Sequence, residues 1–138
     1  MKPAAIRTKR ERFSSWLLIG ATLPLCWFLM MAVHELGHVL GAWGTGGKVA
    51  TVVVHPLTIS RTDLATNPHP LIVAWAGPVF GVIGPSALFL TCALIRLHVT
   101  PFPRFFAGFC LIANGIYLVV GSFPAVGDAC SLMRHGRP

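Results

Sequence analysis

Acidic side chains are nearly missing from this chain: four Asp and Glu stand among 138 residues, beside eleven Lys and Arg. Charged residues of both signs make up 11%, where a soluble domain carries about 25%. That scarcity argues against an ordinary soluble domain, and 54% apolar residues with a mean hydropathy of +0.71 point to the membrane class. Tyrosine occurs once and no basic stretch is interleaved with aromatics, which argues against a nucleic-acid partner despite a pI near 10.1. Cys26, Cys92, Cys110 and Cys130 are far apart and form no C-x-x-C pair. Three of them lie in apolar runs, where a thiol behaves as a small buried hydrophobe. Neither a disulfide framework nor a cysteine metal site is expected. Internal repeats and a separate soluble domain are also missing.

What is present is a basic start followed by three long apolar runs. Residues 1–14 hold Lys2, Arg7, Lys9, Arg10 and Arg12 against Glu11 alone, a juxtamembrane segment suited to anionic headgroups. A cleavable signal has an apolar region of about 7–15 residues, whereas the first run continues to Trp43, so an uncleaved anchor is expected. Residues 15–138 read as one domain with spans near 15–43, 71–95 and 105–123. Pro24 interrupts the first span, either kinking one tilted helix or opening the spanning helix with Thr22 near its cap. "GTGG" (44–47) stops it. "KVATVVVHPLTISRTD" (48–63) is β-branched and too polar to span, and reads as one or two short strands with Pro56 at a bend. The second span carries Gly77, Pro78, Gly81, Gly84 and Pro85, small or helix-loosening residues that face protein or a cavity rather than lipid. "RLHVTPFPR" (96–104) reads as a loop. The fold class expected is all-α integral membrane, a core of three transmembrane helices with a short β-segment between the first two.

The stretch "MMAVHELGHVLGAWGTGG" (30–47) sets two histidines and a glutamate into an apolar helix. Each ionisable group there costs roughly 2.5–3.5 kcal/mol at the helix centre, and such groups default to function. On a helix His34 and His38 are one turn apart on one face, with Cβ atoms about 5–6 Å from each other. Two imidazoles so placed supply two corners of a tetrahedral zinc site. Glu35 flanks that face, where it can take a proton from a water acidified by the metal. Gly37 keeps the helix slim. This is the H-E-x-x-H metalloprotease pattern, and zinc, one per chain, is the cofactor expected. A catalytic site needs a third protein ligand. Asp128 in "VGDAC" is the first choice, and His55 and His69 are rivals on the same side of the membrane. Asn114, in the third span, is a candidate for transition-state or substrate contact.

"HELGH" inside a span, "AWAGPVFG" (74–81) opening the next and "GDA" after a third resemble the site-2 protease family of intramembrane zinc metalloproteases. The resemblance covers Leu25 to about Arg134. It implies a three-helix core in which His34, His38 and Asp128 hold zinc and Glu35 is the general base. It also implies a β-rich segment between the first two core helices, matched by Val49 to Ile59. Gly77 and Pro78 of the A-G-P motif and His55 of the β-segment join Asn114 as candidate substrate contacts. Two departures stand out: Gly81 occupies a position where relatives often have asparagine, and "SFPAVGDA" replaces the usual run ending in L-D-G.

The expected function is hydrolysis of peptide bonds in or near transmembrane segments of membrane proteins. The alternative is a non-catalytic membrane-embedded binding or regulatory protein that keeps the fold. The small residues of the second span are expected to let the helices part for an unwound substrate. Partners expected are the lipid bilayer, a membrane-protein substrate and, because three helices enclose little volume, a second copy or another membrane protein. The basic N-terminus places itself in the cytoplasm and zinc near the outer face, whereas the family resemblance implies zinc nearer the cytoplasm.

Overall fold

The computed structural model describes residues 8–58 and 60–122, and within them three helices and one β-hairpin follow in order. Helix α1 spans Lys9–Gly44 as a single element with Pro24 inside it, so the spanning helix does not start afresh at Pro24. Its first turn is fixed by a capping box: the Glu11 amide donates to Thr8 Oγ1 at 3.3 Å, and the Thr8 amide donates to Glu11 Oε2 at 2.7 Å. Its end follows from "GTGG". Gly46 takes the left-handed conformation (φ 76), the Gly46 amide donates to Trp43 O and the Gly47 amide to Ala42 O at 2.7 Å. This is a Schellman stop, and glycine is the residue that adopts it without strain. The 36 residues of α1 run about 54 Å at 1.5 Å per residue, well beyond the roughly 30 Å hydrocarbon layer.

Strands β1 (Lys48–Val53) and β2 (Arg61–Thr66) pair antiparallel, with Val52 opposite Thr62 and bulges near Val49. Helix α2 spans Pro70–Leu94 with proline in its first turn, where a missing N–H costs nothing. It ends on the same stop motif as α1, with Arg96 (φ 54) in the left-handed position. Helix α3 spans Pro101–Ser122, four residues earlier than the apolar run suggests. Pro101 and Pro103 read as loop residues in the sequence, yet proline is well suited to the first turn of a helix.

The contacts fix the packing directions. Gly37 lies against Ala76, Gly77 and Phe80, and Gly41 against Ala76, Val73 and Ile72, so α2 runs antiparallel to α1. His34 meets Asn114 while Cys26 and Met30 cluster with Phe106 and Cys110, so α3 runs parallel to α1. A Cβ at Gly37 would stand 2.5 Å from Ala76 O, and one at Gly41 2.5 Å from Ala76 Cβ. Small residues therefore lock α1 onto α2. Helices α1 and α3 touch far less, and a cavity lies between them. Cys26 and Cys110 are fully buried free thiols in the α1–α3 cluster, and Cys92 is a buried free thiol.

The hairpin folds back along α1 instead of standing beyond it. Its base sits at Gly47 and Thr66, Thr62 reaches Glu35, and at its tip the Trp27 indole N–H donates to Pro56 O at 3.1 Å. The outer faces of all three helices are apolar, with Trp16 72%, Ile83 60% and Val119 62% exposed. Each helix is long and apolar enough to cross a membrane.

Candidate functional site

The site is built where α1 meets the turns of α2 and α3 that carry Val73–Gly77 and Asn114. His34, Glu35 and His38 are all buried, on a helix whose other faces are largely apolar. The Asn114 side chain, 2% exposed, donates from Nδ2 to Cys110 O at 2.8 Å. That bond fixes its amide orientation and turns Oδ1 towards His34 Nδ1, 2.6 Å away. A carbonyl oxygen only accepts, so His34 carries its proton on Nδ1. His38 is held the same way: its Nδ1 donates to Val73 O at 2.7 Å.

Both imidazoles therefore donate from Nδ1, and the two Nε2 atoms face each other 3.2 Å apart. With both rings neutral, two Nε2 lone pairs at that distance call for a proton or a metal cation to bridge them. Zinc bound at about 2.0–2.1 Å in tetrahedral geometry sets neighbouring nitrogens roughly 3.3 Å apart. Anchoring of the distal ring nitrogen by a carbonyl is also what fixed, metal-binding histidines show. The residues fit a divalent metal at two of its corners.

Glycine makes this geometry available. Gly77 of α2 lies against the His38 ring, and a Cβ there would clash with the imidazole, 2.8 Å from Cδ2 and nearer still to Nε2 and Cε1. Gly81 does the same for Asn114, whose Oδ1 would stand 2.8 Å from an added Cβ. The departure from asparagine at position 81 thus leaves the space that Asn114 fills from α3. Gly37 keeps α1 slim towards α2.

Glu35, 4% exposed, is held by the hairpin: the Thr62 hydroxyl donates to its Oε2 at 2.7 Å and lies 3.4 Å from its backbone carbonyl. Thr62 is absent from any sequence motif, and only its alternation with exposed neighbours on β2 marks it as inward-facing. Beside His34 and Glu35 opens a cavity of about 420 Å³ between α1 and α3, with the hairpin turn over it. Asn114 lines it, while Gly77 and Pro78 lie on the α2 side and do not. Tyr117 meets the His34 ring edge-on, centroids 5.6 Å apart, from the cavity wall.

The rivals for a third ligand stand apart. His55 is exposed in the hairpin turn, its Nδ1 accepting from the Leu57 amide at 3.2 Å, and His69 is the exposed N-cap of α2. Among the described residues no group of three His, Cys, Asp or Glu side chains converges. Asp128 lies outside the described residues. No family model, curated protein or solved structure matches the chain.

Proposed function

We propose that this chain is a multi-pass membrane zinc endopeptidase of the site-2 protease type, cutting peptide bonds in or near the transmembrane segments of other membrane proteins. The observation that carries the reading is the pair of Nε2 atoms 3.2 Å apart, each ring oriented by a carbonyl acceptor on its Nδ1. His34 and His38 hold the metal, and Asp128 is the third ligand of choice. When bound, zinc polarises the scissile carbonyl and acidifies a water. Glu35 takes the proton from the attacking water and returns it to the departing amine, the ordinary task of a general base placed within one residue of the metal ligands. Thr62 keeps its carboxylate from swinging away.

The exposed apolar faces suit a bilayer, and the basic end of α1 suits its headgroups. The hairpin adds support of another kind. Non-helical backbone at membrane depth is tolerated where it lines a water-filled cavity or is covered by protein. A hairpin lying along α1 beside Glu35 therefore calls for the water that hydrolysis consumes, and its edge can pair with an extended substrate. A pseudoenzyme has no need of a buried carboxylate kept in place by a second element, which weighs against the non-catalytic alternative.

Zinc content and cleavage of a synthetic transmembrane substrate test the reading in the wild type and in Glu35→Gln. Expected are about one zinc per chain in both and loss of cleavage in the variant by at least about a hundredfold, within the range general-base removal costs. Cleavage that survives the substitution refutes Glu35 as the base. Wild-type protein without stoichiometric metal refutes the protease.

A further inference from the structure

The cavity between α1 and α3 has a chemistry that the hydrolytic reading does not use. Its volume of about 420 Å³ lies at the low end of the roughly 300–1,000 Å³ of sites that take small ligands. That is room for one large side chain with a short stretch of backbone. Trp27 and Met31 line it from α1, Ala113 and Tyr117 from α3, and Pro56 and Leu57 from the hairpin turn. Among the described residues that line it there is neither Lys nor Arg, and Glu35 is the only carboxylate. An anionic group, whether an acidic side chain or a lipid phosphate, meets no basic side chain among them. Leu57 stands 88% exposed on the cavity wall, a large apolar side chain at the tip of a turn tied down by the Trp27–Pro56 bond.

Resting on the protease reading above, we infer that this cavity is a specificity subsite. It takes a bulky apolar residue, Leu, Met or Phe, next to the bond that is cut, and the substrate reaches it between α1 and α3. Three observations converge. The cavity abuts His34 and Glu35, so whatever fills it lies beside the reacting centre. Small residues close the α1–α2 side, which leaves the α1–α3 side as the approach. Methionine walls adapt to several apolar shapes, so the preference is for a class of residue and not for one. Ala113 sets the depth, one turn before Tyr117 and next to Asn114, and Leu57 closes over the occupant.

The test uses the full chain in lipid nanodiscs and synthetic transmembrane substrates that differ in one residue beside the mapped cleavage site: Phe, Leu, Ala, Ser or Asp. A methylene in an apolar pocket is worth about ten- to two-hundredfold in discrimination. Leu or Phe is therefore expected to be cut at least about tenfold faster than Ala, with Asp slowest. Ala113→Phe is expected to lower the Leu-to-Ala rate ratio at least about tenfold with zinc content retained, and Leu57→Ala to lower it less. A flat series in the wild type overturns the subsite while leaving the protease in place. So does an unchanged ratio in a zinc-loaded Ala113→Phe protein or, should that variant not fold, in Leu57→Ala. Rates set by lipid acyl-chain length and not by the substrate residue show that the cavity holds lipid, and overturn it as well. Absence of cleavage for every substrate brings down the protease reading and the subsite together.

Discussion

Gly77→Ala is the sharpest single perturbation of the site, because one methyl group lands on a candidate metal ligand. The added Cβ would lie 2.8 Å from His38 Cδ2 and closer to Nε2 and Cε1. Ordinary carbon contacts begin at about 3.5 Å, so the ring must retreat by about 1 Å. Its Nδ1 is bonded to Val73 O at 2.7 Å and its Nε2 stands 3.2 Å from that of His34. A retreat of that size breaks one or both, and working metal constellations tolerate about 0.5 Å. Loss of an outer partner of a ligand costs about 10–100-fold in metal affinity, and displacing the ligand itself costs at least as much. Stability should change less. Overpacking costs about 1–3 kcal/mol, against a gain of up to about 1 kcal/mol from alanine's better helix propensity. The net is about 0–3 kcal/mol of destabilisation. Chelator competition reads the zinc affinity, and thermal unfolding in detergent reads the fold. Gly108→Ala is the control, since nothing lies within 4 Å of a Cβ there. Gly77→Ala protein that binds zinc as tightly as Gly108→Ala protein would refute the convergence of the two imidazoles.

Other outcomes follow from the same geometry. Thr62→Val removes the hydroxyl that holds Glu35 Oε2. A hydrogen bond to a charged group is worth about 1.5–3 kcal/mol, so kcat should fall roughly tenfold or more with zinc content unchanged and be rescued by Thr62→Ser. Loss of zinc in Thr62→Val would instead make the threonine a structural prop of the metal site. For the third ligand, Asp128→Asn should abolish stoichiometric zinc, whereas His55→Ala and His69→Ala, at exposed positions, should keep it. Zinc retained by Asp128→Asn and lost from either histidine variant reverses the assignment.

Much of the architecture is legible along the chain because it is local. Apolar runs long enough to span, a glycine-rich stop at 44–47 and a β-branched stretch bounded by glycine and aspartate each report their own backbone conformation. The starts of α1 and α3 were exceptions: α1 begins at Lys9, within the basic segment, and Pro101 marks a loop and a first helical turn equally well. Gly77 and Gly81 are visible as small residues, but nothing local says whether smallness separates helices or seats a neighbour's side chain.

The sequence by itself determined that His34 and His38 share a face with Glu35 beside them, because a four-residue spacing on an α-helix does so in any fold. Tertiary structure alone decided which ring nitrogens converge, which element restrains the carboxylate and which pair of helices leaves a cavity. Those outcomes rest on Asn114, Val73 and Thr62, which lie 80, 35 and 27 residues from the groups they bind. Contacts at such separations are set by how close glycines allow the helices to pack, a property of the assembled bundle and not of any one segment.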